Sequence, residues 1–173
     1  MSSQVVIQTE IGDLVVALDA ARAPITVANF LRYVDAGRYR DAMFYRVVRM
    51  DNQPNDAVKI EVIQGGLGMG EHPNKLPPIP QETTRITGIR HSDGVISMAR
   101  LAPDSAHSEF FICIGDQPEL DFGGARNPDG QGFAAFGRVV SGMDVARTIQ
   151  QLPADGQMLK QKISILGVSR IER

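Results

Sequence analysis

The feature that most constrains the fold of this chain is its number of short strand-like runs. Runs rich in β-branched and aromatic residues, separated by turn formers, number about eight. They cover residues 5–10, 14–19, 43–49, 58–64, 94–99, 109–115, 133–139 and 163–172. A sheet with that many short strands exposes two edges unless it closes on itself. The sequence therefore predicts a mainly β fold, an eight-stranded closed antiparallel barrel.

Only two segments have the spacing of an α-helix. In residues 23–37, apolar side chains recur every three or four positions behind Pro24, a residue that suits a first helical turn. The second segment covers residues 141–152, where Ser141 and Asp144 are arranged like a capping box. We expect these two α-helices to cap the ends of the barrel.

The connections between strands are of two kinds. Residues 11–13 form a short turn in which Gly12 can adopt the positive φ of a tight hairpin, so the first two strands are predicted to be antiparallel. Three other connections are long and rich in turn formers: residues 50–57, 66–93 and 116–131. Loops of that length in a compact protein are more often functional or flexible than accidental.

Composition indicates an ordinary folded protein. The chain has 173 residues, 43% of them hydrophobic, and a net charge of −2, so we expect one domain over residues 1–173. The basic residues are scattered, which argues against a nucleic-acid partner. No run is long enough to span a membrane, and the N-terminus lacks a signal-peptide pattern. We expect a cytoplasmic monomer, or a periplasmic one if a signal peptide has been removed.

The segment SEFFICIG, residues 108–115, combines apolar and polar positions on one strand. Because side chains alternate between the two faces of a strand, each face can be assigned. One face carries Glu109, Phe111 and Cys113, and the other carries Phe110, Ile112 and Ile114. We expect the wholly apolar face to be interior, while the mixed face is compatible with either a core or a working surface.

Several patterns that would indicate other chemistry fail. The four glycines in residues 65–70 match neither a dinucleotide nor a phosphate-loop fingerprint. Cys113 is the only cysteine, which excludes an internal disulfide. Ser108 follows a histidine, but neighbours on a strand point apart and no nucleophile-elbow motif is present. The three histidines lack paired spacing, so we interpret them as solvated loop residues and expect no metal site; they are His72, His91 and His107.

Four segments carry a set of motifs that belong together. They are FYRVV (44–48), VIQGG (62–66), GVISMARLAPDSAHSEFFI (94–112) and FAAFGRV (133–139). In order, and in spacing outside the long loops, this set resembles the cyclophilin-type peptidyl-prolyl isomerases from about residue 4 to residue 172. The resemblance implies a barrel closed by two helices, a substrate groove on its outer face, and an activity that needs no cofactor.

The resemblance also implies a set of site residues and a substrate class. Arg46 matches the catalytic arginine of the family, and the substrates would be proline-containing polypeptides. An arginine suits this chemistry because a fixed cation can stabilise the twisted amide midway through rotation. By the same resemblance, the proline ring would sit on Phe111, Val62 and Leu120, and the peptide would lie along Ala99, Arg100 and Gln64.

Several groove positions depart from the common family pattern. Glu61 stands where a Phe is usual, Glu109 where most members have Gln, Glu119 in place of an aromatic residue, and Phe133 in place of His or Tyr. We hypothesise that Glu109 forms a salt bridge with Arg46 that lowers activity. Glu61, Glu109, Glu119 and Phe133 would then shape the groove, and the three acids would favour substrates with basic flanking residues.

Three functions are compatible with these observations. The leading one is a prolyl isomerase that speeds slow steps in protein folding. The alternative is a cyclophilin-like module that binds proline peptides with weak or no catalysis, as the acidic groove positions would suggest. A third, an interaction scaffold that uses residues 66–93, has only the length of that loop in its favour.

Overall fold

The structure is a computed structural model that describes residues 3–171. Its strands are β1 (Ser3–Thr9), β2 (Gly12–Leu18), β3 (Met43–Val48), β4 (Val62–Gly66), β5 (Val95–Met98), β6 (Phe110–Cys113), β7 (Ala134–Ser141), β8 (Ala154–Asp155) and β9 (Met158–Arg170). Its helices are α1 (Pro24–Asp35), α2 (Thr84–Thr87) and α3 (Met143–Gln150), with a 3₁₀ turn at Pro118–Leu120. The predicted domain limits at residues 1 and 173, and the predicted strand end at residue 172, lie outside the described residues.

The strands form a closed antiparallel barrel, as the sequence predicts. Their order around the ring is β1, β2, β7, β5, β6, β4, β3 and β9, and β9 pairs back onto β1. The two-residue strand β8 pairs only with β9 and forms a hairpin beside the ring. The first hairpin has Gly12 at φ 141°, as expected. Closure leaves no edge in the eight-stranded ring, which solves the edge problem posed by so many short strands.

The barrel interior is filled by the wholly apolar faces of the strands and by one face of α1. Phe110 and Ile112 are fully buried in this core, as alternation along β6 predicts. Phe30 of α1 packs edge-on against Phe110, with ring centroids 5.8 Å apart. The opposite face of β6 therefore points outward, away from this core.

The two predicted helices are present, but only one begins as predicted. Helix α1 begins at Pro24, and its N-terminus is capped from a distant loop: Glu82 accepts hydrogen bonds from the Thr26 backbone N–H at 2.7 Å and from its hydroxyl at 2.6 Å. The capping box predicted for α3 is wrong, because Ser141 belongs to β7 and the helix starts after Gly142. Gly142 has φ 99°, and a Cβ there would lie 2.2 Å from the Asp13 carbonyl oxygen, so only glycine fits.

The long loop of residues 66–93 is tied to the barrel rather than free. It contributes Glu82 to the start of α1, and its Leu76 N–H donates to the Tyr33 hydroxyl at 2.8 Å. It also contains α2, a four-residue helix that the sequence did not indicate. This third helix adds to the two that were predicted and leaves the fold class unchanged.

Within residues 3–171, no helix has both the length and the apolar character needed to cross a bilayer. The same residues contain no cluster of His, Cys, Asp and Glu side chains arranged to hold a metal ion.

Candidate active site

A groove on the outer face of β3, β4 and β6 encloses a cavity of about 380 Å³. Every site residue that the sequence indicated lines this cavity, except Glu61 and Glu119. The lining residues that were indicated are Arg46, Val62, Gln64, Ala99, Arg100, Glu109, Phe111, Leu120 and Phe133. The cavity has two parts, an apolar floor and a charged end around Arg46.

The apolar floor, which we define as Val62, Phe111, Leu120 and Phe133, lies over a second hydrophobic cluster outside the barrel. Phe111 is 4% exposed, and the ring of Phe133 meets it edge-on with centroids 5.5 Å apart. Cys113 is fully buried in the same cluster, and burial raises the pKa of its thiol. The outward face of β6 is thus a packed, largely apolar surface.

His91 supports the apolar floor from behind, which contradicts its interpretation as a solvated loop residue. It is 2% exposed, and its ring stacks on Phe111 with an interplanar angle of 13°. Its Nδ1 lies 2.7 Å from Asp121 Oδ1 and its Nε2 lies 2.8 Å from Ser97 Oγ. Both ring nitrogens therefore have partners, which is what allows an imidazole to be buried here.

Asp121 holds His91 in place, and His91 in turn lowers the pKa of the Asp121 carboxyl. Burial raises the pKa of the Asp121 carboxyl, but hydrogen bonds from the ring and the backbone of His91 outweigh this, so the pKa lies below its usual value. Ser97, His91 and Asp121 have the residue types of a hydrolase triad. The Ser97 side chain is fully buried and does not line the groove, so it cannot reach a substrate.

The other two histidines differ from each other. His107 lines the groove, and burial together with the nearby Lys75 ammonium lowers its pKa. This lowering favours the neutral form of the imidazole. His72 lies away from the groove, where its Nε2 is 3.2 Å from Asp41 Oδ2.

Arg46 lies on β3 with its guanidinium held by two amide oxygens. Nη1 donates to Gln64 Oε1 at 2.8 Å, while Nε and Nη2 donate to Gln157 Oε1 at 3.0 and 2.6 Å. A guanidinium has five N–H donors, so three are used here and two are left for a ligand. Burial and the neighbouring Arg126 lower the pKa of Arg46, although an arginine remains protonated at neutral pH.

Glu109 does not form the predicted salt bridge with Arg46. Its Oε1 accepts from the Tyr45 hydroxyl at 2.8 Å and from the Gly68 N–H at 2.7 Å, and its Oε2 accepts from the Leu67 N–H at 3.1 Å. Ser108 donates its hydroxyl to the same carboxylate. The cation beside Glu109 is Lys75, whose Nζ lies 3.9 Å from Oε2.

These contacts have a simple physical cause. Two backbone N–H groups at the end of β4 point at Glu109 and hold the carboxylate away from the guanidinium. The damping hypothesis, in which Glu109 draws off the hydrogen-bonding power of Arg46 directly, therefore loses its basis.

Tyr45 links Glu109 to Arg46 through Gln64, and it can do so because β3 contains a bulge. Phe44 pairs with Gly65 and Arg46 with Gln64, so Tyr45 is an extra residue between them. Strict alternation would place Tyr45 and Arg46 on opposite faces, but a bulge re-aims a side chain. The Tyr45 hydroxyl accepts from Gln64 Nε2 at 2.9 Å and donates to Glu109. We call Arg46, Gln64, Gln157, Tyr45 and Glu109 the arginine network.

The other two acidic positions lie outside the groove. Glu61 accepts a hydrogen bond from Gln150 Nε2 at 2.9 Å, and Ile60 lines the cavity instead. Glu61 comes just before β4 and its carboxylate faces Gln150 at the end of α3, so it does not line the groove as the sequence predicted. Glu119, on the 3₁₀ turn, does not line the cavity either. The charged lining consists of Arg46, Lys75, Arg100 and Arg126 against Glu109. An acidic groove that selects basic flanking residues is therefore not what the structure contains.

Two arginines brace the loops around the groove. Arg100 is an internal support: its guanidinium lies 4.8 Å from the Phe133 ring centre and its Nη1 is 2.8 Å from Asp129 Oδ2. Arg126 links two long loops, since its Nη1 donates to Gln53 Oε1 at 2.7 Å and to the Val58 carbonyl at 2.8 Å. Both contacts are between loops distant in sequence, so no local pattern indicates them.

The closed barrel, the outer apolar floor and the anchored guanidinium together define a class of β-barrel with an apolar outer groove beside a fixed cation. The family of cyclophilin-type peptidyl-prolyl cis-trans isomerases, described as "Cyclophilin type peptidyl-prolyl cis-trans isomerase/CLD", matches residues 4–170. The chain belongs to this family.

Three curated relatives are each 36% identical to the chain. Peptidyl-prolyl cis-trans isomerase A of Dickeya dadantii aligns over 89% of this chain and 74% of that protein. The isomerase cyp18 of Streptomyces antibioticus aligns over 96% and 94%, and isomerase B of Escherichia coli over 84% and 83%. A Cryptosporidium parvum cyclophilin-type isomerase superposes with a TM-score of 0.78 at 22% identity and covers 100% of this chain and 99% of that one, which supports the fold.

Proposed function

We propose that this protein catalyses cis–trans isomerisation of Xaa-Pro bonds in exposed or unfolded polypeptide segments, without a cofactor, and that Arg46 is its catalytic residue. The observation that carries the proposal is the placement of an anchored guanidinium, with two N–H groups left over, beside the apolar floor. The 36% identity to isomerases over most of the chain supports it.

The reaction needs only a catalyst that favours a twisted amide. The barrier to rotation is about 18–20 kcal/mol because amide resonance must be lost, while the two isomers of an Xaa-Pro bond differ by about 0.5–1 kcal/mol. In the twisted state the prolyl nitrogen regains a lone pair. An N–H of Arg46 that donates to this nitrogen stabilises the twisted state more than either planar isomer, which lowers the barrier.

The arginine network makes this donor effective. Gln64 and Gln157 hold the guanidinium at three N–H groups, so little reorganisation is needed when the amide twists. The side chain is also half-buried in the groove, whose lining includes Ile60 and Val62, and a hydrogen bond in such a site is stronger than in water. Each feature favours the twisted state specifically.

The apolar floor has a complementary part. We assign the proline ring to Phe111, Leu120 and Phe133, which line the apolar part of the cavity. With the ring held there, rotation is taken up by the residue that precedes the proline. A second structure of the Cryptosporidium parvum protein is described as determined in the presence of the dipeptide Ala-Pro, and it superposes here with a TM-score of 0.77. That description supports a proline-containing substrate.

The test is magnetisation-exchange NMR on a short Ala-Pro peptide. The parent should speed the exchange between cis and trans signals, and Arg46→Ala should reduce this by at least about a hundredfold, since removing one preorganised donor costs about 2.7–4 kcal/mol. Arg138→Ala, an exposed position on β7, is the matched control and should leave the rate unchanged. Line broadening without exchange would instead support the alternative, a proline-peptide binding module.

A further inference from the structure

We propose that Tyr45 and Glu109 are positioning residues that fix the direction of a hydrogen-bond chain ending at Arg46. This inference rests on the proposed function, because Arg46 is the group being positioned. The chain runs from Glu109 to the Tyr45 hydroxyl, then to the Gln64 amide, and then to the guanidinium. Each link is short, between 2.8 and 2.9 Å.

The start of the chain is a carboxylate surrounded by donors. The N–H groups of Leu67 and Gly68 can only donate, and they approach different oxygens of Glu109. Gly66 completes the seat: its φ is 140°, and a Cβ there would lie 2.7 Å from the carboxylate. Lys75 supplies the nearby positive charge at 3.9 Å. The two backbone partners of Glu109 can only donate, and a carboxylate accepts hydrogen bonds and donates none.

The direction of every later link follows from that first one. Because the Glu109 carboxylate accepts hydrogen bonds and donates none, the single hydroxyl proton of Tyr45 must point to it. The Tyr45 oxygen is then an acceptor for Gln64, so the NH₂ end of that amide faces Tyr45. The carbonyl end of Gln64 must therefore face Arg46 Nη1, where it accepts at 2.8 Å. An amide in the reverse orientation would place two donors against each other.

Without the tyrosine hydroxyl, nothing of comparable strength selects this orientation. The remaining partner of Gln64 Nε2 is Met69 Sδ at 3.5 Å, and a thioether is a weak acceptor. The Gln64 amide could then rotate, and Arg46 would lose one of its two anchors. The guanidinium would sample positions in which its remaining N–H groups miss the prolyl nitrogen.

The main test is Tyr45→Phe, which removes one oxygen atom. We expect kcat on an Ala-Pro peptide to fall about fivefold to tenfold with little change in KM, because the anchor matters for the twisted state. The NMR signal of the Arg46 Nε–H, protected in the parent by Gln157 and by the rigidity of the network, should broaden or exchange faster. Tyr39→Phe is the matched control: it also removes a buried hydroxyl, which donates to the Ser108 carbonyl at 2.8 Å, but it does not touch this chain.

A double-variant cycle separates positioning from general damage. If Tyr45 acts through Arg46, Tyr45→Phe should have no further effect in the Arg46→Ala background. An equal loss in both backgrounds, or a Tyr45→Phe enzyme with the parent's kcat, would overturn the inference. Failure of the proposed function would look different, because Arg46→Ala itself would then keep the parent's rate.

Glu109→Gln provides a second variant in case Tyr45→Phe folds poorly. An amide has one carbonyl oxygen for the two backbone N–H groups, so hydrogen exchange at Leu67 or Gly68 should become faster. The amide can also donate to Tyr45, which releases the direction of the chain, so kcat should fall below that of the parent. A Glu109→Gln enzyme that is faster than the parent would contradict the inference.

Discussion

The apolar floor and the arginine network meet in one groove, but they are held in place in different ways. The floor belongs to a packed cluster in which His91 stacks behind Phe111 and the residues on β4 and β6 follow strand alternation. The network is held almost entirely by directional hydrogen bonds that connect a bulge, a loop and a distant turn. Packing tolerates small shifts in position, whereas a hydrogen-bond chain loses its effect when one link is reversed. Small structural changes should therefore affect binding of the proline little, but they should strongly lower the rate of rotation about the Xaa-Pro bond.

The largest effect should come from the floor itself. Phe111→Ala removes a ring that is 4% exposed, so we expect the protein to lose about 3–5 kcal/mol of unfolding free energy. The variant should also raise KM strongly, because the proline ring loses its main surface, while kcat at saturation falls less. Urea unfolding and steady-state kinetics measure the two effects. A variant whose KM is unchanged would show that the ring is bound elsewhere.

Gln157→Ala should show the opposite pattern. This side chain lies in the turn between β8 and β9 and accepts from both Nε and Nη2 of Arg46. Its loss leaves Gln64 as the anchor among the described residues, so we expect kcat to fall about tenfold, with KM and stability nearly unchanged. Gln161→Ala, an exposed position on β9, serves as the control. Equal losses in kcat and in substrate affinity would contradict the assignment of rate to the arginine network and of binding to the apolar floor.

The same difference explains how much of the site the sequence could predict. The barrel, and the inward and outward faces of β6, follow from period-two alternation, which is a local property of the chain. Arg46 was found through the resemblance of its strand to a family. The sequence does not indicate the support for Arg46, because Gln157 lies 111 residues away in sequence and Tyr45 reaches Gln64 and Glu109 through a bulge. Glu109 was assigned to the groove, but its partner was wrong because no pattern places the Leu67 and Gly68 N–H groups beside it.

His91 was missed for a related reason. In the sequence it sits in a polar loop, and its burial depends on Asp121 and Ser97 meeting its two ring nitrogens. A polar side chain can be buried wherever distant partners satisfy it, so loop composition alone is a poor guide. The short helix α2 escaped notice because four residues are too few to show a helical period.

A moderate loss of stability should appear at acid pH, through the contact between Asp121 and His91 that supports the apolar floor. The pKa of Asp121 is lowered in the folded state, because hydrogen bonds from His91 outweigh the opposing effect of burial. This group therefore contributes stability at pH values above its unfolded pKa of about 3.9, and the contribution is lost as pH falls through the lower folded pKa. Urea unfolding at about pH 5 and about pH 3 should show a steeper loss for the parent than for Asp121→Asn. Parallel losses in the two proteins would show that Asp121 is not the group responsible.

The smallest expected effect is on the turnover of peptides that carry a charged residue beside the proline. It depends on the charges that line the arginine side of the groove. Three of the lining cations have a carboxylate within reach: Arg100 has Asp129 at 2.8 Å, Arg126 has Asp56 at 3.6 Å, and Lys75 has Glu109 at 3.9 Å. Among residues 3–171, no carboxylate lies within 4.0 Å of Arg46, so the groove retains an excess of positive charge around it.

A peptide with Glu beside its Ala-Pro pair should therefore be turned over about twofold to fivefold faster than one with Lys at low salt. The ratio should approach one at about 0.5 M salt, because screening weakens interactions between solvent-exposed charges. Arg126→Gln should reduce the ratio without abolishing turnover, since the positive charge of Arg126 acts on Arg46 and its carboxylate partner, Asp56, is half-exposed at 3.6 Å. A preference for Lys would mean that the acids outside the groove dominate its field, and it would favour the charge pattern first inferred from sequence over the one described by the structure.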